Sequence, residues 1–203
     1  MTSGEFDMRL VLAFVVTAMA LPALGNEGLA KQIDAVAPLV NAEDYDALGG
    51  PDTARTIVDG IGGRWFTLKN TVRNWTGTGA PDRASLARNI ENTCSDDWEN
   101  IVMQEASGPE SFRVVQTGPD GEDNGTFEMR SVDDTGRTFT THMDDDYILQ
   151  IYGMENADVM RQDSLLKDMH ERMSEGVQIW LPTPDLMVNV SSAETEVWGR
   201  CPL

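Results

Sequence analysis

The side chains best suited to catalysis or transition-metal binding are few and scattered. The chain holds two histidines, His142 and His170, and two cysteines, Cys94 and Cys201. Their spacings match no zinc module, which draws its four ligands from closely paired Cys and His. No Gly-x-Ser-x-Gly stretch presents a serine nucleophile, and no Cys-x-x-Cys pair is present. His142 alternates with Thr141 and Met143 as an outward strand residue would, which argues against a general base. Paired carboxylates could hydrolyse a glycoside, but 34 acidic residues single out no pair. A hydrolytic enzyme is therefore the weakest of the readings in play.

Oxygen ligands are the more plentiful resource. Gly118–Gly125 carries Asp120, Glu122 and Asp123, and a second acidic turn spans Asp144 to Asp146. Alternate turns of a meander lie at one end of the sheet, so Asp120, Glu122, Asp123, Asp144 and Asp146 are candidate ligands for calcium, a hard cation. None falls at EF-hand spacing, and the competing reading is a set of solvated hairpin tips. No other cofactor is expected. Eleven methionines, five of them (Met143, Met154, Met160, Met169, Met173) in the stretch that holds both histidines, raise a copper reading. Met169 and Met173 fall on the apolar face of an expected helix, where adaptable packing explains them better.

The balance of 34 acidic against 15 basic residues gives a formal charge of -19. Such a surface repels nucleic-acid backbones and anionic membranes, so neither is an expected partner. With 203 residues, 40% of them hydrophobic, the chain suffices for one domain with a sizeable core.

Residues 8–25, MRLVLAFVVTAMALPALG, read as a signal peptide. Arg9 is its positive start, and Leu10–Leu21 is too short to span a bilayer comfortably. Pro22 breaks the helix, and Ala23-Leu24-Gly25 supplies small residues for cleavage. An uncleaved anchor is the alternative. Met8 is a second possible start, because the residues before it are acidic. The expectation is a periplasmic or secreted protein with no stable membrane anchor after cleavage. In an oxidising compartment Cys94 and Cys201 favour a disulfide over two free thiols. Its loop, on the order of a hundred residues, is worth ~4 to 5 kcal/mol by chain entropy.

The elements that position these groups follow from periodicity. Residues 26–62 form a helical segment. Glu27–Leu48 places Leu29, Ile33, Val36, Leu39 and Val40 on one face, interrupted at Pro38, and Asp52–Ile61 is a second helix with Asp52 as N-cap. From Gly63 to Leu203 the period is that of strands. Expected strands are Arg64–Lys69, Trp98–Gln104, Ser111–Thr117, Thr126–Val132, Arg137–Met143, Tyr147–Tyr152, Val177–Leu181, Leu186–Val190 and Thr195–Arg200. Asn156 is expected to cap one late helix, with Val159, Leu166, Met169 and Met173 on its apolar face and Gly176 at its end. The fold class is mainly β: an antiparallel meander closing into a barrel or strongly curled sheet, with an N-terminal helical segment and one late α-helix.

Gly63-Arg64-Trp65, placed after a short helix, resembles the opening of the lipocalin, or calycin, barrel family. Arg200, in the last expected strand, matches the basic residue that packs on the family's tryptophan. Asp145-Asp146-Tyr147 faintly echoes its middle Thr-Asp-Tyr type motif. The resemblance implies a barrel and a ligand cavity.

Three functions of different class follow. The leading one is an exported binding protein holding a small apolar or amphipathic ligand in a cavity lined by Trp65, Phe127, Met129 and Phe139. For the five tryptophans, Trp65, Trp75, Trp98, Trp180 and Trp198, core packing competes with cavity lining. The second is a module that binds or inhibits a periplasmic protein, which predicts a filled barrel and an exposed apolar patch around Ile33–Val40. Enzymatic activity is the third.

Overall fold

The computed structural model describes residues 26–68, 94, 101–117, 123–132 and 136–201. Eight antiparallel strands follow one another around a closed barrel: β1 (Gly63–Thr67), β2 (Ile101–Gly108), β3 (Ser111–Thr117), β4 (Asp123–Ser131), β5 (Thr138–His142), β6 (Val177–Thr183), β7 (Leu186–Val190) and β8 (Thr195–Arg200). Closure comes from β8 returning to β1, where Trp65 faces Arg200 and Thr67 faces Trp198. A closed barrel leaves no strand edge among its members to template aggregation.

Strand alternation divides the side chains into an inner and an outer core. Trp65, Phe112, Val114, Met129, Phe139, Ile179 and Met187 belong to the inner cluster. Phe66, Trp180, Leu186, Val188 and Val197 point the other way and join an outer cluster. Helix α1 (Asn26–Asn41) covers that outer face with Leu29, Ala30, Ile33, Val36 and Ala37, all buried and all on one helical stripe. The helix continues through Pro38, whose ring faces outward, and a short 3-10 turn follows at Tyr45–Leu48. The Ile33–Val40 stretch is thus seated on the barrel and is not the exposed patch that a protein-interaction module would present.

Helix α2 (Ala54–Ile61) plugs one end of the barrel. Its buried face is Ala54, Ile57, Val58 and Ile61, spaced three and four residues apart, and it packs into the inner cluster. The N-cap is Thr53, in a reciprocal capping box with Thr56, one residue beyond the expected Asp52.

Two helices connect β5 to β6. Tyr147–Tyr152, expected as a strand, lies in helix α3 (Asp145–Ile151) and the residue that ends it. Asp144 precedes that helix, and Asp145 and Asp146 occupy its first turn, where the exposed amide ends favour negative charge. An apolar run this short does not distinguish strand from helix by period alone. Helix α4 (Val159–Ser174) begins at Asp158, whose carboxylate accepts from the Arg161 amide at 3.2 Å; the expected cap, Asn156, lies in the turn before it. Leu166, Met169 and Met173 are half-buried, whereas Val159 is 69% exposed. At the seam bridged by this pair of helices, only Thr138–Gln178 and Phe139–Val177 are in register.

Cys94 and Cys201 are joined in a disulfide, with Cα atoms 5.6 Å apart across a sequence separation of 107. The Cys201 amide donates to the Arg64 carbonyl at 2.8 Å, so the bridge fastens the chain just beyond β8 alongside β1.

Candidate functional site: the barrel interior

The closed end is built around Trp65. Its indole Nε1 donates to the Ile61 carbonyl at 2.7 Å, tying β1 to the plug helix α2. Arg200 lies over the same ring, its guanidinium carbon 4.4 Å from the centroid. The guanidinium also donates to the carbonyls of Gly60, Gly62 and Pro184. Burial lowers the Arg200 pKa, a shift that nearby Asp185 opposes. Gly63 has φ +130°, a conformation that disfavours any side chain, and a Cβ there would sit 3.2 Å from an Arg200 nitrogen. Gly63, Trp65 and Arg200 therefore form one fastening. Phe139 packs edge-on against Phe112 above it, with ring centroids 5.5 Å apart.

Beyond this layer the interior is hollow. A cavity of about 420 Å³ is walled by Val102, Phe112, Val114, Phe127, Met129, Val177, Ile179, Met187 and Trp198, with Thr67, Gln104, Thr141, Asn189 and Glu196 among them. Exposed Gln116 and Glu194 mark its mouth, at the end opposite α2. The volume falls within the range of small-molecule sites, roughly 300 to 1,000 Å³, and the mostly apolar wall with a few polar groups is their usual make-up.

The polar groups are specific. Gln104 is 4% exposed; its amide nitrogen reaches Met187 Sδ at 4.0 Å, and its Oε1 is buried without a partner. Asn189 Oδ1 is likewise buried and unpartnered. On β8, Glu196 stands directly opposite Asn189 and accepts from the indole of Trp198 at 3.3 Å. Thr141 Oγ1 lies 3.3 Å from Met129 Sδ.

The expected site residues divide accordingly. Phe127 and Met129 line the cavity. Trp65 and Phe139 lie in the packed layer beneath it, and neither lines it. Of the other tryptophans, Trp198 lines the cavity and Trp180 is on the outer face, beneath the Arg137 guanidinium at 4.0 Å; Trp75 and Trp98 lie outside the described residues. Gln104, Asn189 and Glu196 were not anticipated, because each interrupts a run that reads as apolar or as solvent-facing strand.

For the calcium expectation, Asp120 and Glu122 lie outside the described residues, and only the backbone of Asp123 is described. Asp144 and Asp146 are exposed at the start of α3. Among the described residues no group of three His, Cys, Asp or Glu is placed to hold a metal. His142 is exposed and bonded to Thr140 at 3.1 Å, and His170 pairs with Asp145 at 2.9 Å on the exposed faces of α3 and α4.

In comparisons with family models, curated proteins and solved structures, the chain matches none of them. Among the described residues no helix is long and apolar enough to cross a membrane.

Proposed function

We propose that this chain is an exported, lipocalin-like binding protein that takes a small apolar or amphipathic molecule into the barrel through the end opposite α2. The observation that carries this reading is the cavity itself: an open, mainly apolar space of about 420 Å³ above a sealed floor. A barrel that served only as a scaffold would fill that space with side chains, since each void forfeits packing energy. The fastening of Trp65 by Arg200 and the plugging helix α2 support the family likeness. Export is supported by the signal-like residues 8–25 and by the disulfide, which an oxidising compartment maintains. Sequencing of the secreted protein should find Asn26 at its N-terminus.

The test is a fluorescence titration with N-phenyl-1-naphthylamine, a neutral apolar probe that brightens in dry surroundings. The wild-type chain binds it saturably at one site. Val114→Trp fills the cavity from its wall and abolishes that binding, whereas Val115→Trp, on the outward side of the same strand, leaves it intact. Equal probe binding by Val114→Trp, with a preserved circular dichroism spectrum, would overturn the proposal.

A further inference from the structure

We infer that the cavity selects an organic cation: an ammonium group carried on an apolar frame. This rests on the reading of the interior as a ligand site and specifies what that site prefers.

The polar groups of the wall are biased toward accepting. Gln104 Oε1 and Asn189 Oδ1 are both buried with no donor to meet them. A buried acceptor left unpaired is costly, and a ligand that brings a donor removes the cost. Gln104 is 4% exposed, so its amide is set deep in the wall, away from the bulk water at the mouth. The two acceptors belong to one part of the wall: Gln104 reaches Met187, and Asn189 lies two residues along the same inward face of β7.

Charge points the same way. Glu194 and Glu196 line the cavity and its mouth, and no Lys, Arg or His is among the described residues of the wall. Glu196 stands directly opposite Asn189, so a carboxylate and an unpaired amide oxygen share one level of the barrel. The aromatic residues Phe112, Phe127 and Trp198 also line the cavity, where a ring face turned to a cation would add to the attraction of the carboxylates. A carboxylate ligand would meet like charge from Glu194 and Glu196 and would bring no donor to the two unpaired amide oxygens.

The experiment displaces N-phenyl-1-naphthylamine from the intact protein with decylamine, decanol and decanoate, which share a tail and differ in the head. Physiological salt screens the general field of this acidic surface. Decylamine, protonated at neutral pH, should bind at least about tenfold more tightly than decanoate, with decanol between. In Glu196→Gln that preference should fall to within about threefold, and Gln104→Leu should weaken decylamine and decanol but not decanoate. Glu105→Gln makes the same charge change at an exposed position beside inward-facing Gln104 and should leave the preference unaltered. If decanoate binds as well as decylamine, or if Glu105→Gln erodes the preference as much as Glu196→Gln, the selectivity is not built into the wall and the inference is overturned. Those results leave the cavity reading in place. If neither the probe nor any of the three molecules binds, the cavity reading fails and the inference falls with it.

Discussion

The guanidinium of Arg200, from the last strand, lies 4.4 Å from the ring centroid of Trp65, from the first, and the two side chains together close the barrel. The relationship ties the ends of the sheet to each other and to the plug helix, because Arg200 donates to carbonyls at the end of α2 and Trp65 donates to another. Arg200→Ala removes a cation–π contact worth ~0.5 to 2 kcal/mol and three hydrogen bonds to carbonyls of exposed residues, each worth ~0.5 kcal/mol net because water replaces it. Urea denaturation should show a loss of about 3 kcal/mol. Arg200→Lys keeps the charge near the ring but not the planar fork, and should lose roughly half as much. Equal stability of the alanine variant and the wild type would show that the fastening contributes nothing.

The disulfide should stabilise the chain substantially. Its span of 107 residues encloses seven of the eight strands, and the chain-entropy model assigns a loop of that size ~4 to 5 kcal/mol. The Cys94→Ser/Cys201→Ser double variant should denature at markedly lower urea concentration than the oxidised wild type. Reductant should lower the wild-type midpoint and leave the variant unmoved.

Gly125 and Tyr147 are matched across β4 and α3. A Cβ at Gly125 would fall 1.9 Å from the Tyr147 phenol oxygen, so any side chain there forces the Tyr147 ring out of its place. Gly125→Ala should cost ~1 to 3 kcal/mol, as overpacked sites do. In the Tyr147→Ala background the same change should cost much less, a non-additivity that a double-mutant cycle measures directly.

Acid sensitivity has one identifiable contributor on the outer surface. Glu128 accepts from Ser107 and is paired with Arg130, and these partners lower its pKa below the ordinary 4.5. A carboxyl depressed on folding adds stability above its unfolded-state value, and that stability is lost as pH falls through the folded-state value. Glu128→Gln should therefore lower stability slightly at neutral pH, by ~0.2 to 1 kcal/mol for so exposed a pair. The difference from wild type should vanish as the pH drops below about 4.5 and the carboxyl protonates. A constant difference across that range would exclude the charge as its cause.

Much of the barrel was legible because period-two alternation survives in it. Ser111–Thr117, Leu186–Val190 and Thr195–Arg200 have the bounds their patterns predict. The strand expected at Tyr147–Tyr152 failed because a six-residue apolar run carries no period, while the three aspartates before it signalled a helix start as readily as a turn. The tryptophan of Gly63-Arg64-Trp65 was visible, but its depth was not: sequence places Trp65 inside without saying that Arg200 and α2 bury it below the cavity. Gln104 and Asn189 were hidden for a related reason. On β7 the outward residues Leu186, Val188 and Val190 are also apolar, because α1 covers them, so inward Asn189 looked like the solvent-facing residue of its strand.

The central claim, that a small molecule enters the barrel, is tested most directly by methyl NMR of the methionines during titration with decylamine. Met129 and Met187 line the cavity, whereas Met160 is 81% exposed on α4. Occupancy of the interior predicts saturable shifts of the Met129 and Met187 methyl signals with one common affinity, and none at Met160. Unmoved Met129 and Met187 signals, or a response confined to Met160, would contradict it.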